Sequence, residues 1–180
     1  MLCPLFQKDL AMPTLQWSDT LALGLPAMDD THHEFVGLLA QVVHATDDTL
    51  LPLWRLLVSH TDAHFAREDR WMQDTGFSGA NCHTTQHQVV LQVMIEGDKR
   101  GTAGELAVVR QMADELGNWF PMHAQAMDAA LALHLQSRGY DPLTGQVAMP
   151  QTLPTEAIHG CGGATCSPAA APSQDHAVAA

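Results

Sequence analysis

Residues 47–76 read DDTLLPLWRLLVSHTDAHFAREDRWMQDTG. Asp47-Asp48-Thr49 supplies helix-starting chemistry at one end, and Gly76 supplies a stop at the other. Between them Trp54, Leu57, Val58, Phe65, Trp71 and Met72 recur at helical spacing, with Pro52 read as lying in the tolerant first turn. His64 and Glu68 are four apart on this helix and continue its apolar stripe. Both therefore point inward, and a buried imidazole and carboxylate are costly unless something satisfies them. The rest of the chain must cover the stripe and partner the pair.

Three further segments carry the same period. One begins at Asp29-Asp30-Thr31, with Glu34 three residues after Thr31, and bears Phe35, Leu38, Leu39, Val42 and Val43. Another starts near Gly79-Ala80-Asn81 and bears Val90, Leu91, Met94 and Ile95 before the glycines Gly97 and Gly101. The last runs from Thr102 to Arg138 with Leu106, Val109, Leu116, Trp119, Phe120, Met127 and Leu131. Pro121 lies inside it, where a kink or break is expected. Four helices with short connections predict an all-α, antiparallel up-down-up-down four-helix bundle.

The helices bring further histidines inward. His83 and His87 share a face of the third helix, His32 stands near the start of the first, and His123 follows Leu116, Trp119 and Phe120. In an antiparallel bundle, the starts of helices one and three lie beside the ends of two and four. His32, His64, Glu68, His83, His87, His123 and Asp128 then meet at one level of the core. Five imidazoles and two carboxylates exceed what one metal takes, so two metals bridged by the carboxylates are the natural stoichiometry. His123 and Asp128 are five apart, about 140° around an ideal helix, so Asp128 is expected to lean in from the flank.

These pieces together resemble the hemerythrin family, in particular its bacterial members. The resemblance rests on Trp17, Leu23-Gly24-Leu25, Met28-Asp29-Asp30-Thr31-His32, His64-Phe65-Ala66-Arg67-Glu68-Asp69, Met72, Gly76-Phe77, His83-Thr84-Thr85-Gln86-His87, Trp119-Phe120-Pro121-Met122-His123 and Asp128. It implies two non-haem iron ions, cycling between Fe2+ and Fe3+, with an oxo or hydroxo bridge. His83, His87 and His123 would bind one iron, and His32 and His64 the other, with Glu68 and Asp128 bridging. The second iron keeps an open position, and the implied function is reversible binding of dioxygen for storage, delivery or sensing. The protein would then be a binder and not an enzyme. The alternative is a di-iron oxidase, peroxidase or nitric-oxide-reducing enzyme. Trp119 and Phe120 are expected to line the oxygen pocket, with Phe120 standing where the family places an aliphatic residue.

Of 180 residues, 20 are Asp or Glu and only 8 are Lys or Arg, a formal charge of −12 that repels nucleic acid and anionic membrane alike. No apolar run is long enough to span a bilayer. No signal peptide is evident and four cysteines make no disulfide framework, so the cytoplasm is the default compartment. Residues 1–14 read as an extension whose true start is Met1 or Met12, and 15–140 as the bundle. Residues 141–180 read as a disordered, low-complexity tail whose His159, Cys161 and Cys166 are too few for a metal site. His60 and His134 share core stripes and are expected to be satisfied or partly exposed, while His33 and His44 are expected to be solvated.

Overall fold

The computed structural model describes residues 15–77 and 82–149. The N-terminal extension, the expected start of the third helix at Gly79-Ala80-Asn81, and residues 150–180 of the expected tail lie outside the described residues. A single 3-10 turn at Asp19–Leu21 leads into α1 (Pro26–Val43), α2 (Asp47–Thr75), α3 (Cys82–Thr102) and α4 (Leu106–His123). A π-helical turn, Ala124–Asp128, joins α4 without interruption to α5 (Ala129–Arg138). Each helix packs on its neighbours in chain order and α1 closes against α4, giving the expected up-down-up-down bundle. Among the described residues, no helix is long and apolar enough to cross a membrane.

Several boundaries differ from the sequence expectation. Helix α1 begins at Pro26 and not at Asp29, because a proline pre-sets the first helical residue. The Asp29 carboxylate instead reaches back to accept the backbone N–H groups of Leu23 and Gly24, at 2.7 and 3.0 Å. Pro52 is the sixth residue of α2, in its second turn, and the helix runs through it. At the other end Gly76 is left-handed (φ 65°), and the N–H of Phe77 bonds to the carbonyl of Met72, closing α2 where expected.

Helix α3 passes straight through Gly97 and Gly101, which were expected to end it. Both are contact points instead. A Cβ on Gly97 would lie 2.7 Å from Met112 Sδ and 3.0 Å from the Trp54 ring, and one on Gly101 would collide with Leu51 and Val109. The turn into α4 comes later, at Gly104 (φ 95°), so α4 starts at Leu106 rather than Thr102.

Pro121 neither breaks nor ends the fourth rod. The irregularity follows it, as the π turn, where the Ala129 N–H bonds to the carbonyl of Ala124 five residues back. After α5, Tyr140–Asp141 pairs antiparallel with Gln146–Val147. This hairpin occupies the first residues assigned to a disordered tail. It is held by buried Tyr140, whose hydroxyl donates to Asp74 at 2.7 Å.

The core is split in two. One apolar cluster gathers Phe35, Leu39, Leu50, Trp54, Leu57, Met94, Leu116 and Phe120. The other, toward the hairpin end, gathers Met28, Trp71, Met72, Phe77, Leu131 and Leu135. On α1, α2 and α4–α5 the ligand candidates fall between these clusters, so a layer of polar groups crosses the bundle.

Candidate metal centre

All seven sequence-predicted residues meet in that layer. His32, Glu68, His83 and Asp128 are fully buried, and His64, His87 and His123 are at most 3% exposed. Every imidazole turns its Nε2 toward the two carboxylates. Each carboxylate divides its oxygens between two groups of histidines. Glu68 presents Oε1 to His64 (3.5 Å) and Oε2 to His83 (3.4 Å) and His87 (3.2 Å). Asp128 presents Oδ2 to His32 (3.2 Å) and Oδ1 to His83 (2.9 Å) and His123 (3.1 Å). Two clusters with mutually close donor atoms result, one of His83, His87 and His123 and one of His32 and His64, both sharing Glu68 and Asp128.

The π turn is what brings Asp128 in. It adds a residue to one turn, so positions five apart fall on one face, and His123 and Asp128 stand side by side. The flanking approach expected from an ideal α-helix does not arise.

The polar atoms of this layer are near one another yet not bonded to one another. Both oxygens of Glu68 and Asp128, and Nε2 of His32, His83, His87 and His123, are buried without an aligned hydrogen-bond partner. An orphaned buried group costs about 1–3 kcal/mol, so such a cluster is untenable without a further partner. Donor atoms this close together and left unpaired are in position to share a metal ion. Imidazoles and carboxylates suit a first-row transition metal, and the donor set fits two of them.

Protonation in the metal-free state tells the same story. Burial pushes the His64 imidazole down to about 4, against the opposing pull of Glu68. Burial also disfavours charge on His83, but the facing Asp128 and Glu68 prevail and push it up to about 9. His87 is raised in the same way, burial being outweighed by Asp69 and Glu68. Burial alone would protonate Glu68 and Asp128. The imidazoles around them hold both well below the usual carboxylate range. A proton at His83 occupies the role of a metal cation.

Aromatic rings enclose the layer, and they divide between its two sides. Phe120 stands edge-on to His32 (5.1 Å between centroids) and stacks on Phe35 (4.7 Å). Trp119 lies against His123 (4.4 Å, 27°). Phe65 stacks on His87 (3.9 Å, 6°). The sequence pattern marks Phe35 and Phe65 as core alone. Sequence reading also missed Asp69 and Gln86, which face the outer nitrogens of His87 and His123. Their one signal was position, directly after Glu68 and directly before His87. His60 and His134 stay outside the layer, each with its Nε2 3.2 Å from a backbone carbonyl, of Thr31 and Thr75.

Comparison with known proteins agrees with this geometry. The Hemerythrin HHE cation binding domain family matches residues 23–135. A bacteriohemerythrin of Ralstonia nicotianae is 35% identical over 130 residues, covering 72% of this chain and 95% of that protein. Bacteriohemerythrins of Stenotrophomonas maltophilia and Pseudomonas aeruginosa are 26% and 27% identical, covering 67% and 66% of this chain and 81% and 79% of their own lengths. No solved structure matches significantly. The family match runs from the segment before α1 nearly to the end of α5, across every residue of the buried histidine layer, and the chain belongs to the hemerythrin family.

Proposed function

We propose that His83, His87 and His123 hold one iron, His32 and His64 a second, with Glu68 and Asp128 bridging them, and that the protein binds dioxygen reversibly. The observation that carries this reading is the split of each carboxylate, one oxygen to each histidine group. Bound there, two irons supply two electrons and an open coordination position, the chemistry of taking up dioxygen and releasing it. With two imidazoles against three, the iron held by His32 and His64 would be the one with room for a further ligand.

The chain's own residues favour binding over turnover. Phe120, backed by Phe35, lies edge-on to His32 and sets apolar surface there, which would keep water from that side of the centre. Glu68 and Asp128 are both committed as bridges, so neither is free to donate a proton toward O–O cleavage. Storage, delivery and sensing are all uses of such a binder.

Metal analysis of the purified protein tests the assignment. Two irons per chain are expected, and His64→Ala or Glu68→Ala should lower that content sharply while the helical signal persists. One zinc per chain, unaffected by either change, contradicts it.

A further inference from the structure

With every Nε2 turned to the centre, each ligand ring keeps its remaining proton on Nδ1, facing outward, and these outer nitrogens are treated unequally. The Nδ1 of His87 lies 3.0 Å from Asp69 Oδ1. The Nδ1 of His123 lies 3.3 Å from Gln86 Oε1, an acceptor that also takes the Trp119 indole N–H. The Nδ1 atoms of His32, His64 and His83 are buried with no partner among the described residues. A negatively charged acceptor thus stands behind one ring only, and that ring belongs to the three-histidine group.

Helix α2 serves both ends of this ring with consecutive carboxylates. Glu68 meets its Nε2 at 3.2 Å and Asp69 its Nδ1 at 3.0 Å. Phe65, one turn earlier, stacks on the ring face and fixes its plane. A carboxylate that accepts the Nδ1 proton of a ligating imidazole orients the ring and makes it a stronger electron donor. Stronger donation favours the higher oxidation state of the metal that the ring holds.

We propose that Asp69 is a positioning residue that, acting through His87, lowers the reduction potential of the three-histidine iron and so sets how readily the centre parts with electrons. This rests on the di-iron reading above. Asp69 is one-third exposed, so solvent screens part of its effect and a change of about tenfold in the reduction equilibrium is expected.

The test pairs two nearly isosteric variants of opposite sign, read by iron content and by anaerobic potentiometric titration of the full chain. Asp69→Asn keeps an acceptor and removes the charge; Gln86→Glu places a charge behind His123. Both should retain two irons. Asp69→Asn should favour the reduced state about tenfold, 59 mV for a one-electron couple, and Gln86→Glu should shift the equilibrium the other way. Two irons retained with unmoved potentials, or shifts of the same sign, overturn the proposal. If Asp69→Asn fails to hold iron, Asp69→Glu must restore it and Gln86→Glu must still lower the potential; failure of either overturns the proposal. Wild-type protein without two irons overturns the metal reading, and this inference with it.

Discussion

Phe120 shows how much one residue decides at this centre. Its ring lies edge-on to His32 and is itself backed by Phe35, so an apolar wall of two rings covers the side proposed for dioxygen. Phe120→Ser would leave the ligands in place and admit water and protons to that side. Iron content should stay at two per chain, while loss of the oxygen-binding form to the inactive oxidised form, followed by visible absorbance, should become several-fold faster. An unchanged decay rate would show that the wall lies elsewhere. Single-residue chemistry of this kind was largely legible. His32, His64, His83, His87 and His123 announced themselves because imidazoles on apolar stripes need partners. Asp69 and Gln86 did not, because their role depends on rings that the next helix places across from them.

At the scale of elements, periodicity located all four helices but could not distinguish a glycine that stops a helix from one that lets two helices touch. Gly101 is the clearest case, since its place in α3 depends on Leu51, which is distant in sequence, and on Val109 across the turn into α4. Gly101→Val should lower stability by about 1–3 kcal/mol through overpacking, measured by denaturant unfolding, and leave iron stoichiometry intact. No loss of stability would mean that the helices can move apart freely. The π turn was invisible for a related reason, since a spacing of five between His123 and Asp128 states a need without saying how the backbone meets it. The hairpin at residues 140–147 was not legible because a two-residue strand has no period to read. Truncation after Met149 should preserve iron content and melting temperature. Truncation after Gly139 removes Tyr140 and its bond to Asp74, and should lower the melting temperature with iron content kept. Equal melting temperatures for the two truncations would deny the hairpin a structural role.

For the whole molecule, the buried layer trades fold stability against metal binding, and pH exposes the trade. In the metal-free protein His64 is lowered from 6.5 to about 4, so the unfolded chain takes its proton first and stability is lost as pH falls from 6.5 to about 4. His83 is raised from 6.5 to about 9, so its contribution is complete below 6.5 and is lost as pH rises through 9. The metal-free fold should therefore be most stable near pH 6.5. A metal displaces the His83 proton, so the melting-temperature gap between metal-loaded and metal-free protein should widen from pH 6.5 to 9. A gap constant over that range would contradict this electrostatic account.

The central claim, a two-iron centre that takes up dioxygen and lets it go, is tested most directly by cycling. Protein reduced without oxygen, with its iron counted, should bind one dioxygen per two irons on exposure to air. It should gain visible colour, lose both on deoxygenation and regain both on re-exposure. Sustained oxygen consumption with a reductant, over many turnovers per iron pair and with no form that releases its oxygen, would contradict it.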